Sequence, residues 1–223
     1  MCFSAQASFT SGAVLTTIGV GTFRQAGKSD RKLFAAIPFL FGLQQLAEGV
    51  LWITLKSGGE ELVQNVAAHL FLVAALIVWP LMVPASIWMM EEVKMRKKIL
   101  AGLMAAGGIL SLFYTICLIF YKITPQIQSF HIVYLNNFPN LLAGGSFVIY
   151  FAATVVSIFV SSVKRMWLFG VLITISLAVT GLFYQEYLTS VWCFFASLMS
   201  VSIYWVLSES RSRVDQLTTV FQR

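Results

Sequence analysis

The chain has 223 residues, 58% of them hydrophobic and only 11% charged, where a soluble domain carries about a quarter charged residues. Aromatic residues make up 14%, with 19 Phe, the mean hydropathy is +0.83 and the formal net charge is +6. These values exclude a water-soluble globule, a disordered chain and a nucleic-acid-binding domain. At about 20 apolar residues per crossing they leave room for at most seven or eight membrane helices and no attached soluble domain.

In chain order, apolar runs bounded by charge or turn residues fall near 8–23, 33–55, 62–83, 99–121, 141–162, 166–184 and 188–208. None alternates apolar and polar residues as a barrel strand does, and backbone amides in lipid must be bonded within their own segment, so the runs are helices. The expected fold class is all-α: an integral membrane bundle of seven transmembrane helices, forming one domain over residues 1–223.

The first run is rich in Ser, Thr and Gly and has no positive charge before it, which fits a retained span rather than a secretory signal. Its Ser8, Gly12 and Thr16, four apart, allow a neighbouring helix to approach closely. The third run ends at Trp79, Pro80 and Pro84, where Pro80 is expected to kink the helix. Lys122 to Asn140 is the longest segment on its side of the membrane, with Pro125, Tyr134, Asn136, Asn137, Pro139 and an exposed His131. It reads as an interfacial segment with aromatics at headgroup level, or as a lid. Glu91 to Lys98 reads as an orientation signal that meets anionic lipid.

Thirteen of the 15 Lys and Arg residues lie between runs one and two, three and four, five and six, or after run seven. Only Lys56 and Lys122 lie on the other side. The positive-inside rule therefore places the N-terminus outside and the C-terminus in the cytoplasm.

A charged side chain inside the hydrocarbon costs about 2.5–3.5 kcal/mol even on the insertion scale, so each one needs a reason. Of nine acids only Glu48 lies within a run, Glu186 being at the outer turn between runs six and seven. Gln44, Gln45, Glu48 and Trp52 recur at three and four residues and form one helical stripe that must face protein. The third run supplies Asn65 and His69. Glu48 and His69 each lie seven residues, about 10 Å, below the outer ends of their helices. The short link between those helices makes them antiparallel neighbours, so the carboxylate and the imidazole are expected to meet.

That pair has a structural reading, a hydrogen-bonded staple between helices, and functional ones: a ligand pocket, a proton relay or metal ligation. Two amides beside a carboxylate offer more donors and acceptors than one histidine satisfies, which favours a pocket. The expected ligand-binding set is Gln44, Gln45, Glu48, Trp52 and His69. Cys2, Cys117 and Cys193 all fall towards the outer side. Cys2, as an N-terminal residue after loss of Met1, would join Glu48 and His69 in any metal site. The eight Met residues form no copper-type cluster.

The words Met1-Cys2-Phe3-Ser4-Ala5, Ala7-Ser8-Phe9, Phe41-Gly42-Leu43-Gln44-Gln45, Glu48-Gly49, Trp52, Trp79-Pro80 and Pro84 resemble a family of uncharacterised bacterial multi-pass membrane proteins. The resemblance covers about the first 84 residues with specific words and the remainder by hydropathy. It implies that Met-Cys-Phe-Ser-Ala is the true start, and a place in the bacterial inner (plasma) membrane; it carries no function. A retinal protein needs a Schiff-base Lys in its last span, and the zinc hydrolases related to alkaline ceramidase use three histidines; this chain has neither.

Two main function classes remain. The first is a binding or transport module whose outward-facing intramembrane pocket takes a small polar or cationic ligand. The second is a membrane-embedded enzyme in which Glu48 or His69 is general base or metal ligand, with Cys2 or Glu186 completing the site. A structural membrane subunit is the third class. Membrane lipids are the expected partners, nucleic acid is not, and no cofactor or oligomeric state is specified.

Overall fold

The computed structural model describes residues 4–27, 29–128, 131–139, 144–163, 165–183 and, within 191–207, residues 191, 192, 195, 197, 200–203 and 205–207. Helix α1 (Ala5–Gln25) starts at Ser4, whose Oγ accepts the Ala7 N–H at 3.3 Å and satisfies one open donor of the first turn. Its buried residues, Ser8, Gly12, Leu15, Gly19 and Thr22, lie alternately four and three apart and make one stripe. That stripe packs on α3 (Ile37–Ser57), which follows the short α2 (Ser29–Ala35) after the single residue Ala36. The two run antiparallel in close register: a Cβ on Gly19 would collide with the Phe39 backbone, and one on Gly42 with Thr16. Hydrogen in place of a side chain lets the backbones touch. Thr22 Oγ1 donates to the Ala35 carbonyl at 2.8 Å and ties α1 to α2.

Gly58 closes α3 at φ 65°, the left-handed conformation that glycine adopts without penalty. Next come α4 (Glu61–Leu72), a π-helical segment (Val73–Val78) and α5 (Trp79–Met90), in one continuous helix. The π segment is how the chain accommodates Pro80. The Trp79 N–H pairs five residues back with the Ala74 carbonyl; in that register Pro80, lacking an N–H, leaves the Ala75 carbonyl open. Tyr150 Oη donates to it at 2.6 Å. The expected kink is thus taken up by a widened turn, and the helix runs on to Met90 instead of ending near residue 83.

Helix α6 (Lys94–Phe120) passes Pro80 at Gly107, where a Cβ would overlap the Pro80 carbonyl. Strands β1 (Ile123–Gln128) and β2 (His131–Asn136) then pair as an antiparallel hairpin, with Ile123 opposite Asn136 and Gln128 opposite His131. The protein is mostly helical, as expected, and the segment read as an interfacial loop or lid adds a two-stranded sheet. Its physical basis is the period-two pattern of β1, where Ile123, Pro125 and Ile127 face inward between exposed neighbours. Helix α7 (Gly145–Phe151), a second π segment (Ala152–Val156) and α8 (Ser157–Val160) form another continuous helix, and α9 (Met166–Phe183) follows. The described part of 191–207 is helical apart from a turn at Val201.

Among the described residues four helices are long and apolar enough to cross a membrane: Ser29–Ser57, Glu61–Met90, Lys94–Phe120 and Met166–Phe183. The helix over Gly145–Val160 is apolar but shorter. Large apolar side chains cover their outer faces, Ile109 being 72% exposed and Leu182 77%. Such surfaces suit lipid rather than water. The main core joins α1, α2, α3, α5, α6, α8 and α9 around Leu15, Phe34, Ile87, Leu100, Ile158 and Phe169. A smaller one, Leu51, Trp52, Ala67, Ala68 and Ile132, lies between α3, α4 and the hairpin.

Candidate functional site

All four members of the α3 stripe are buried, Gln45 and Glu48 completely. Trp79 Nε1 donates to Gln44 Oε1 at 2.9 Å. An indole N–H can only donate, so the Gln44 oxygen is fixed towards it and the amide nitrogen points away. That nitrogen is buried with no hydrogen-bond partner among the described residues. Gln45 is held more loosely: its Oε1 lies 3.4 Å from Ser11 Oγ, whose single proton has a nearer acceptor in the Ala7 carbonyl at 2.8 Å. Gln45 Nε2, Trp52 Nε1 and Ser8 Oγ are likewise buried without a partner among the described residues. Phe9 against Gly49 and Ser11 against Gln45 bracket Glu48, so Ser8 stands at its level. Each unmet polar atom costs about 1–3 kcal/mol in such a setting. Four beside one buried carboxylate define a polar cluster whose donors the described residues do not satisfy.

His69 does not belong to this cluster, which corrects the expected pairing with Glu48. Its Nδ1 lies 2.7 Å from the Asn65 carbonyl and its Nε2 3.3 Å from the Leu118 carbonyl of α6. No hydrogen bond or ion pair joins it to Glu48 among the described residues. Equal depth fixes height along a helix but not azimuth. Helix α4 turns Ala67, Ala68, Phe71 and Leu72 inward, which carries His69 round to α6. The metal set of Cys2, Glu48 and His69 is therefore not assembled through His69. Among the described residues no group of three or more His, Cys, Asp or Glu is placed to hold a metal. Cys2, Cys193 and Glu186 lie outside the described residues; Cys117 is a buried free thiol.

The hairpin covers the end of the bundle where α3 gives way to α4. Ile127, Ile132 and Tyr134 pack over Trp52, Ala67 and Ala68, and Tyr134 stacks on Phe71 with centroids 5.0 Å apart. His131, expected to be exposed, is buried, and that burial pushes its imidazole below the usual histidine range. The signal for this was the alternation of β1, outweighed in the sequence by the two prolines and two asparagines of the segment.

At the opposite end Glu91, the first residue of the stretch read as an orientation signal, is 1% exposed. Its Oε1 accepts the backbone N–H groups of Glu92 at 3.1 Å and Val93 at 2.9 Å and the Ser162 hydroxyl at 2.7 Å, and its Oε2 accepts the Ser162 N–H at 2.7 Å. Burial by itself raises the carboxyl pKa, but these bonds outweigh it and hold Glu91 below the usual carboxylate range. The carboxylate opens α6 and clasps the loop between α8 and α9.

The class these features define is a helical protein with a membrane-type surface, a buried polar cluster on one helix and a hairpin packed over Trp52 at one end of that cluster. The chain belongs to the family of unknown function DUF6629, whose model matches residues 1–218. No curated protein and no solved structure matches it.

Proposed function

We propose that this protein is a seven-span binding module of the bacterial inner membrane that takes a small polar or cationic ligand from the outer face, between α1 and α3 beneath the hairpin. The observation that carries the reading is the Gln44 amide. Its oxygen is committed to Trp79, its nitrogen is buried without a partner among the described residues, and it lies one turn from the fully buried Glu48. Gln45 and Trp52 add two further N–H donors to the same stripe. Donors beside a carboxylate match a molecule that combines an oxygen acceptor with a cationic or N–H group. The enzyme reading asks for an acid–base partner near Glu48, and His69 is turned to α6 instead.

Wild-type, Gln44→Leu and Glu48→Gln proteins, purified without chelators and analysed by native mass spectrometry, provide the test. A small molecule retained by the wild type and lost from both variants at matched thermal stability is the expected result. An empty wild type, with Glu48→Gln behaving identically in cells, would leave Glu48 a packing residue.

A further inference from the structure

Helix α6 begins against its own electrostatics. Lys94, Arg96, Lys97 and Lys98 fall within its first five residues and no acid stands in its first turn, although the positive end of a helix dipole disfavours cations there. Lys94 shares a face with Lys97 and Lys98 at spacings of three and four, where like charges repel. The two acids just ahead do not offset them. Glu91 is spent on backbone N–H groups and Ser162, and Glu92 is exposed and forms no ion pair among the described residues. None of the four cations has an ion-pair partner among those residues either. The surroundings select the kind of anion that fits. Met95 and Ile99, 70% and 50% exposed, interleave with the cations around the same turns, and Lys97 lies over the Trp88 ring. The charges therefore stand where an apolar surface meets water. One turn beyond Lys98, Gly102 is exposed, with open space where a side chain would be, so an acyl chain can lie against the helix backbone. The Glu91–Ser162 bonds hold beside the start of α6 the loop that carries a further cation, Arg165. We infer that the opening turns of α6 bind an anionic glycerophospholipid, its phosphate taken by Lys94, Lys97 and Lys98 and an acyl chain running along Ile99 and Gly102. A soluble polyanion would meet the cations and leave those apolar side chains in water. Such a lipid acts on the folded protein, which separates it from the part the same charges play in setting orientation during insertion.

The test uses the full chain in detergent, where orientation no longer enters. Phosphatidylglycerol is titrated in and followed by native mass spectrometry and thermal melts. Retained lipid and a raised melting temperature are expected, and phosphatidylcholine should give neither. Lys94→Gln/Lys97→Gln/Lys98→Gln should weaken phosphatidylglycerol binding about a hundredfold at low salt, each Lys near an anionic lipid being worth about fivefold. Lys94→Gln/Lys98→Gln leaves Lys97 on Trp88 and serves should the triple variant fail to fold; on the same scale it should weaken binding about 25-fold. Arg24→Gln/Arg31→Gln/Lys32→Gln removes the same charge from α1 and α2 and should leave binding nearly unchanged. Equal losses in the two triple variants would overturn α6 as the site and leave only diffuse surface charge. Equal binding of phosphatidylcholine would overturn the selection of an anionic headgroup. The same rise in melting temperature with inorganic phosphate alone would overturn the lipid as the ligand.

Discussion

Glu91 shows how far one side chain can depart from the character of its neighbourhood. It stands in a run of charged residues, yet it is sealed by hydrogen bonds that start α6 and hold Ser162. Glu91→Ala strands the N–H groups of Val93 and Ser162, and should cost about 1–3 kcal/mol of stability in detergent. Ser162→Ala, which keeps the backbone bond, should cost less. Because the folded carboxyl titrates below its unfolded value, the clasp contributes fully above the ordinary carboxylate pKa of about 4.3. It is lost as pH falls through the lowered folded value. Thermal melts of wild type and Glu91→Gln between neutral and acid pH check this: the wild-type advantage should shrink on acidification. An advantage constant with pH would mean that the charge does not hold the clasp. Trp79→Phe asks the parallel question at the polar stripe. It frees the Gln44 oxygen and should loosen any bound ligand, since the amide then loses its fixed direction.

At the level of elements, the sequence was legible wherever periodicity alone decides. The stripe of Gln44, Gln45, Glu48 and Trp52 is buried on one helix as its spacing required, and the Ser8-Gly12-Thr16 surface does meet a neighbouring backbone closely. Three features were not legible, each for its own reason. His69 was placed by depth, and azimuth depends on which face of α4 the bundle selects. The π segments arise because Pro80 needs a carbonyl released, and the Tyr150 hydroxyl that meets it comes from 75 residues away. The hairpin hid behind prolines, although Pro125 sits at an inward position of β1 opposite Tyr134. It has no third strand among the described residues, and its docking there rests on side chains such as Tyr134 stacked on Phe71. Tyr134→Ala should therefore raise hydrogen exchange across 123–136 while leaving α3 protected. His131 adds a pH dependence of its own. Burial lowers its folded pKa, so the docked hairpin is fully stable above about pH 6.5 and loses stability as pH falls towards that lowered value. Faster exchange of the hairpin at pH 5 than the intrinsic rate explains, abolished by His131→Phe, is the expected outcome.

For the molecule as a whole, charge separates the two ends. Arg24, Arg31, Lys32, Lys94, Arg96, Lys97, Lys98 and Arg165 cluster where α1 ends, α2 and α6 begin and α8 gives way to α9, the end that Glu91 clasps. There Lys97 lies 4.5 Å from the Trp88 ring centroid and Arg165 3.9 Å from that of Trp205. Cations and indoles at one level mark a membrane interface. The hairpin end carries Lys56 and Lys122, and Lys122 is paired with Glu61 at 3.6 Å. This asymmetry predicts that the hairpin end faces outward and the Glu91 end the cytoplasm. An impermeant thiol reagent applied to intact cells should label a cysteine introduced at the exposed Gln126 of β1, and should label one at the exposed Glu92 only after lysis. The direction matters to the proposed site, since the polar stripe lies nearer the hairpin end of α3. The reverse labelling pattern would open that stripe to the cytoplasm and turn an uptake or sensing site into one that samples the cell interior.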